Sequence, residues 1–408
     1  MEAVRPSSHG LTRDQAGHNV RPVLEAQKGT NGSAQGSSRT SQRPVPKGAE
    51  EVGHASHLSP NIGDLVELAK GKKAFLAQAH DYPDPDTLAS AYALTWLLKE
   101  LVGVEGQIGY GGIVGRAENR AMVRVLSLKL KKMSPADFAK YDLIALLDTQ
   151  AESGNHSIPK DRTPDIVVDH HFARELAGDQ PAFYDVGGEF GTTSTKVTEL
   201  VRSSGLEPPP EVATALFYGL KSDTLNLARV TTPADVDAYL WLFPKIDRGM
   251  LSEIEHPQVP LEYFRILNKA LERGKIYGSM IVADLGPIYT PDLCAELADR
   301  LLQVEGIKHA LATGWYEDSL FFSLRTRASR KNAGKIMHAI IAEGGYGTAG
   351  GHGPMAGARV PMSGKGQRKR ADLRRKLVGE VLARFGEDDQ HFQRLCSEAA
   401  AEETSSRD

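Results

Sequence analysis

The sequence predicts an α/β protein in two parts: a first domain built on a largely parallel sheet, then a smaller α/β domain, with a cleft between them. Three observations lead there. Brief apolar runs flanked by polar or turn residues recur along the chain, as in a sheet covered on both faces. Stretches with apolar residues at helical spacing alternate with them, the pattern of a parallel sheet. The chain of 408 residues also exceeds the usual size of one domain.

Residues 1–58 are rich in Gly, Ser, Gln, Asn, Pro and Arg and have almost no apolar periodicity. Such a segment cannot bury enough surface to offset its ordering entropy, so a disordered N-terminal tail is expected. Residues 59–255 hold the first domain, with strands expected at Ala74–Gln78, Leu143–Leu147, Ile166–Val168 and Ala182–Asp185. Leu94, Leu97, Leu98 and Leu101 recur at i, i+3, i+4 and i+7 and mark one apolar helical stripe. Further helices are expected after Gly191 and after Pro208-Pro209-Pro210. A helical linker, residues 256–277, carries a helix near Leu261–Arg273. The second domain, residues 278–386, has strands at Met280–Leu285, His309–Thr313 and Leu320–Leu324 and helices near Leu293–Val304 and Ala333–Ile341. A Gly-rich turn, GGYGTAGGHGPMAG, follows the second helix, and residues 387–408 read as a frayed polar tail.

Composition narrows the function. Hydrophobic residues make up 40% and charged residues 25%, ordinary for a globular enzyme. A net charge of -3 argues against coating nucleic acid by charge alone. Two cysteines, Cys294 and Cys396, exclude a disulfide framework and fit a reducing cytoplasm. No apolar run approaches a bilayer span, and the N-terminus lacks a signal-type apolar core, so no membrane partner and a cytoplasmic location are expected.

The informative residues stand where strands end. The first strand runs into HDYPDPD, which supplies His80, Asp84 and Asp86 before a helix N-terminus, the place where open α/β sheets hold ligands. Leu143–Leu147 runs into Asp148, Ile166–Val168 into Asp169-His170-His171, and the helix from Val212 into Lys221-Ser222-Asp223. Two divalent ions about 3.5–4 Å apart need roughly this supply of donors, one carboxylate bridging. Carboxylates mixed with imidazole suit Mn2+, pure oxygen would favour Mg2+, and thiolates would favour Zn2+. Each piece alone has a plainer reading. Asp84 and Asp86 can be helix N-caps, Asp148 and Asp223 can end elements in turns, and a His pair can be surface polarity or a satisfied core residue. It is their joint occurrence, in this order, that points to a metal centre.

These residues resemble the DHH phosphoesterases, named for the triplet Asp169-His170-His171. HDYPDPDTLASAYAL is similar to the family's first motif, LLDTQ to its second, VVDHH to its third and GLKSDT to its fourth. FFSLRTRAS and AGGHGPMAG resemble the associated C-terminal domain, on the RecJ-like and oligoribonuclease/phosphoadenosine-phosphatase branch. The resemblance covers about residues 60–362. It implies a DHH catalytic domain and a smaller substrate-binding domain, with two Mn2+ ions as cofactor and Mg2+ or Co2+ as substitutes. It implies that His80, Asp84 and Asp148 hold one ion. Asp86, Asp148, His170 and Asp223 hold the other, with His171 beside the substrate phosphate. Arg325, Gly350, Gly351 and His352 would clamp the far end of the substrate. Pro85 stands between the first-motif aspartates where many relatives have Gly, which removes a backbone N–H.

The expected chemistry is hydrolysis of a phosphate ester, with two cations lowering the pKa of a bound water. Asp169 is expected to accept a hydrogen bond and orient the ligands. The turn at Gly350–Gly353 can offer backbone N–H groups to an anion, and Arg325 and Arg327 can form a phosphate fork. Arg116, with Glu118 and Asn119, opens a helix that can reach the cleft or equally end in solvent. The basic run KGQRKRADLRRK reads mainly as a solvated helix face. No aromatic residues alternate with its charges, so no stacking platform for long single strands is expected there. Small substrates follow: short oligoribonucleotides, bisphosphorylated nucleosides such as pAp, or linear dinucleotides, acted on by a chain that also suits a homodimer. A single-strand exonuclease of RecJ type and a non-catalytic nucleotide sensor are the competing readings.

Overall fold

The computed structural model describes residues 61–396, apart from residues 177, 230, 329, 330 and 365 and the side chain of His352. The N-terminal tail expected over residues 1–58 lies outside the described residues, as do residues 397–408.

Strands of the first sheet are β1 (Ala74–Ala79), β2 (Glu105–Tyr110), β3 (Leu130–Lys132), β4 (Leu143–Leu147), β5 (Ile166–Asp169) and β6 (Phe183–Val186). They pair in the order β3-β2-β1-β4-β5-β6, every pair parallel. Helices α1 (Ile62–Ala69), α2 (Pro85–Val102), α3 (Ala117–Val125), α4 (Thr193–Ser204), α5 (Pro210–Asp223), α6 (Pro233–Leu242) and α7 (Arg248–Glu255) surround them. The strand order reverses between β1 and β4, and such a switch point opens a crevice at the carboxyl ends of the strands. The expected strands appear with shifts of at most one residue. Leu94, Leu97 and Leu98 of α2 are buried and Leu101 is partly buried, packing in one cluster with Leu216 and Phe217 of α5 and Phe75 of β1. Strand β2 and the edge strand β3 were not foreseen, because EGQIGY carries two glycines and buries mainly its Ile108-Gly109 pair, and β3 is three residues long.

Helix α8 (Leu261–Arg273) leads to the second sheet, β7 (Lys275–Tyr277), β8 (Met280–Pro287), β9 (His309–Tyr316), β10 (Ser319–Thr326), β11 (Thr348–His352), β12 (Met355–Pro361) and β13 (Gln393–Arg394). Only β8 and β9 pair in parallel among its neighbours. Helices α9 (Asp292–Leu301), α10 (Ala333–Met337) and α11 (Gln367–Phe385) cover it. Leu293 and Leu297 of α9 share one apolar cluster with Ile281 and Ala310, while Leu377 and Val381 of α11 share another with Met280 and Leu324. The architecture is therefore the predicted one, a parallel α/β domain followed by a smaller α/β domain.

Two expectations need correction. The Gly-rich segment is a turn only in part: Gly344–Gly347 turns, but Gly350 and Gly351 lie in β11, paired with Gly357 and Ala356, and β11 reverses into β12 at Gly353-Pro354. Glycine serves close approach here, since a Cβ on Gly351 would come within 2.3 Å of the Met355 carbonyl oxygen. The polar stretch from Glu387 is pinned as far as Leu395, because Glu387 Oε1 accepts from Ser279 N (3.0 Å), β13 pairs with β7 and Leu395 N donates to Gly274 O (2.9 Å). Among the described residues, no helix is long and apolar enough to cross a membrane.

Candidate metal centre

Four chain segments, after β1, β4 and β5 and at the C-terminal end of α5, deliver the six predicted donors to one place. Their ligand atoms fall into three sets, each within 4.8 Å: His80, Asp84 and Asp148; Asp86, His170 and Asp223; and Asp148, His170 and His171. Asp148 is the hinge of this arrangement. Its Oδ2 stands 3.6 Å from His80 Nε2, and its Oδ1 stands 3.5 Å from His170 Nε2. The two oxygens thus face different donor sets. His80 Nε2 is also 3.6 Å from Asp84 Oδ1, and His170 Nε2 is 3.7 Å from Asp223 Oδ2. Such spacings exceed a hydrogen bond but suit ligands converging on a shared cation.

Local structure sets each donor. Asp84 caps α2, its Oδ1 accepting from the amides of Asp86 and Thr87 at 3.1 Å each, so the cap and the metal donor are one carboxylate. Pro85 occupies the first turn of α2, where a missing N–H costs nothing. Asp148 has a φ of 58°, a left-handed conformation that a non-glycine residue adopts only when its surroundings enforce it. Tyr82 (59°), Leu225 (49°), Asn226 (58°) and Leu227 (65°) share that strain. Hence most left-handed non-glycine positions lie beside the donors.

The N-terminus of α4 supplies partners that were not foreseen. Thr193 N and Ser194 N donate to Asp86 Oδ2 and Oδ1 at 2.8 and 2.7 Å, placing that carboxylate on the positive end of a helix. Thr193 Oγ1 donates to Asp148 Oδ1 at 2.8 Å. Below it, buried Asp235 of α6 accepts from Gly191 N (2.9 Å), Thr195 Oγ1 (2.6 Å) and Thr232 N (2.7 Å), fixing the turn that enters α4. Buried Gln150 donates to Asp169 Oδ2 at 2.7 Å, and His171 Nδ1 lies 2.7 Å from Asp169 Oδ1. Asn119 Nδ2 donates to Pro83 O at 3.1 Å, bracing the first-motif turn from α3. A GTTST run resembles any helix start, and Asp235 lies far along the chain, so neither signals the site in sequence.

Burial and mutual repulsion set the charges. Burial first, then the charges of Asp223 and Asp84, push the Asp86 carboxyl up to about 7. Burial and Asp84 push Asp223 up to about 6, and burial with Asp86 nearby raises Asp148 well above the carboxylate range. Burial works against charge on Asp84 too, but the His80 contacts and two amides outweigh it and hold Asp84 at about 2. Burial and the neighbouring His171 hold His170 at about 4, a neutral imidazole. A buried cluster of carboxylates without enough cationic side chains is costly. The donor set therefore fits divalent cations.

The predicted substrate residues lie in both domains. Arg116 caps α3 and donates to Asp299 Oδ2 at 3.1 Å, while Arg325, buried on β10, pairs with the other oxygen of Asp299 and donates to Ser323 Oγ at 2.9 Å. Gly350 and Gly351 line the edge strand β11; the side chain of His352 lies outside the described residues.

Comparison with known proteins agrees with this architecture. Residues 75–220 match the DHH family, N-terminal domain, and residues 277–381 match the DHHA1 domain. An uncharacterized protein of Methanocaldococcus jannaschii is 35% identical over 78% of this chain, which spans 64% of that relative's length. Probable manganese-dependent inorganic pyrophosphatases of Streptococcus pyogenes are 27% identical over 38% of this chain and 50% of their own. The solved structure of an exopolyphosphatase-related protein from Bacteroides fragilis aligns with a TM-score of 0.62 at 15% identity, covering 79% of this chain and 96% of that one. At that identity the likeness bears on fold alone.

Proposed function

Because this chain belongs to the DHH family and carries the DHHA1 domain, we propose that it is a two-metal, Mn2+-dependent phosphoesterase acting on small nucleotide substrates. Short oligoribonucleotides, pAp-type bisphosphonucleotides and linear dinucleotides are the substrate class. The observation that carries the reading is the placement of Asp148, one oxygen turned to His80 and the other to His170. His80, Asp84 and Asp148 would hold one cation, and Asp86, Asp148, His170 and Asp223 the other. When bound, such a pair supplies Lewis acidity toward water and toward phosphoryl oxygens. Mixed carboxylate and imidazole donors favour Mn2+, with Mg2+ or Co2+ as substitutes.

The chain's own groups do the rest. Asp169, buried and held by Gln150, orients the His171 imidazole and favours its protonated form, so His171 can meet a phosphoryl oxygen as a cationic donor. Thr193 and the α4 amides hold Asp148 and Asp86 in their rotamers. On this reading Arg116, Arg325, Gly350, Gly351 and His352 would receive the far end of a substrate.

The test is an assay of metal-stripped protein resupplied with Mn2+ against short RNAs, pAp, linear dinucleotides and long single-stranded DNA. Release of mononucleotide or phosphate is expected from the small substrates. Asp148→Asn should lower kcat by on the order of 100-fold or more with the fold retained by circular dichroism; undiminished turnover defeats the assignment. Preferential degradation of long DNA would favour a RecJ-type exonuclease, and tight binding of an intact dinucleotide a sensor.

A further inference from the structure

We infer that Phe172, Tyr82 and Leu225 form an apolar rim that stacks against a flat ring of the substrate, so that the centre selects phosphate esters bearing a nucleobase over inorganic pyrophosphate or polyphosphate. This inference rests on the phosphoesterase reading above and assigns the substrate preference of that same site.

Each of these side chains comes from a different donor-bearing loop. Tyr82 stands between His80 and Asp84, Phe172 directly follows His171, and Leu225 comes two residues after Asp223. Consecutive Cα atoms are about 3.8 Å apart, so each lies within roughly 8 Å of a donor's Cα. All are exposed: Phe172 at 96%, Leu225 at 61% and Tyr82 at 49%. Large apolar residues scattered singly over a surface need no explanation, but a group around one polar centre does.

The backbone that carries them is held in place. Tyr82 and Leu225 have φ of 59° and 49°, and Leu225 begins three consecutive left-handed residues, none of them glycine. Such a run is sterically unfavourable. It is held by Asn226 N donating to Lys221 O (2.7 Å) and Arg229 N donating to Thr224 O (2.8 Å). The ring of Tyr82 rests against Gly112, where an added Cβ would stand 2.9 Å from Tyr82 Cγ. Phe172 is carried on a backbone anchored at its carbonyl, which accepts from Gln150 Nε2 at 3.1 Å. Strain of this kind beside reactive groups is kept where it serves function.

The chemistry of the two substrate classes differs on one point. Pyrophosphate and polyphosphate present only charged oxygens and gain nothing from an apolar rim. A nucleotide held by its phosphate at the metal donors has a base within reach of the rim, and aromatic and aliphatic faces stack on any base.

The experiment compares kcat and KM of the Mn2+-loaded full chain for a dinucleotide, its abasic counterpart and inorganic pyrophosphate. Wild-type protein, Phe172→Ala and Phe172→Tyr are assayed side by side. The expected result is a wild-type preference for the base-bearing compound. Phe172→Ala should raise its KM by about ten- to a hundredfold with kcat little changed, and Phe172→Tyr should restore it. Pyrophosphate or the abasic compound used as efficiently as the dinucleotide, or a base-to-abasic ratio unmoved in Phe172→Ala, overturns the inference. If the wild type turns over none of the three, the phosphoesterase reading fails, and calorimetric binding of the dinucleotide against its abasic counterpart then judges the rim: weaker binding without the bases supports it, and equal affinity overturns it.

Discussion

Asp148 joins the donor sets through opposite oxygens, and its neighbours Asp86 and Asp223 hold their protons more tightly than isolated carboxylic acids do. Asp86 sits at about 7 and Asp223 at about 6, against an ordinary value of 3.8. Between pH about 4 and about 7 the folded metal-free protein therefore binds protons that the unfolded chain has released, and its stability falls as pH rises. His80 and His171, both pushed up, act in the same direction. His170, held at about 4, and His309, lowered by burial, act in the opposite one, but the raised groups outnumber them. Urea denaturation of metal-free protein should give a lower unfolding free energy at pH 8 than at pH 5. Mn2+ must displace those protons, so its affinity should rise over the same range with proton release. Calorimetry in buffers of differing ionisation enthalpy measures both, and a pH-independent affinity contradicts the arrangement. The donors themselves were legible in sequence, because each ends an element recognisable from its own apolar run. The left-handed φ of Asp148 was not, since nothing local to Leu-Leu-Asp-Thr demands it.

At the scale of elements, α4 does more than cover the sheet. Its first amides grip Asp86 and its Thr193 hydroxyl grips Asp148, while Asp235, lent by α6, fixes the turn that aims it. Asp235→Ala should leave the Gly191 amide and Thr195 hydroxyl short of an acceptor, lowering stability by about 1–3 kcal/mol. It should also weaken Mn2+ binding by about 10–100-fold, as loss of groups that orient ligands does. A drop in stability with unchanged Mn2+ affinity of the folded fraction would reduce Asp235 to a structural role. Thr193→Val, which keeps shape and removes the hydroxyl, should lower Mn2+ affinity with a smaller change in stability. The helix after Gly191 was predicted from Val197, Leu200 and Val201. What its N-terminus holds depends on a contact with α2 that periodicity does not encode. Likewise β11 was read as a turn because glycine density marks turns more often than it marks strands packed closely on a helix.

Across the whole molecule, Asp299 of α9 receives Arg116 from one domain and Arg325 from its own. Asp299→Ala should destabilise the protein by about 1–3 kcal/mol, chiefly because the buried Arg325 guanidinium loses its carboxylate. Arg116→Ala should cost within about 1 kcal/mol, its side chain being 42% exposed. Paired urea titrations compare the two, and equal losses would mean that the joint between domains carries the energy. Saturating metal should stabilise the whole cooperative unit. For one site at 100 times its Kd the gain is about 2.7 kcal/mol, visible as a rise in Tm with Mn2+ that chelation reverses.

The amino-acid sequence by itself determined the α/β alternation, the strand or helix that leads to each donor, and the identity of the six candidate ligands. Those features are local: a buried strand needs a short apolar run, and a donor at its end needs only to follow it. Tertiary structure alone decided which oxygen of Asp148 faces which imidazole, that Asp84 caps a helix while facing His80, and that Thr193, Gln150 and Asp235 support the donors. It also decided that two arginines far apart in the chain share Asp299. Each of these depends on atoms brought together by packing of separate elements, and no spacing along the chain records the direction in which a side chain will find its partner.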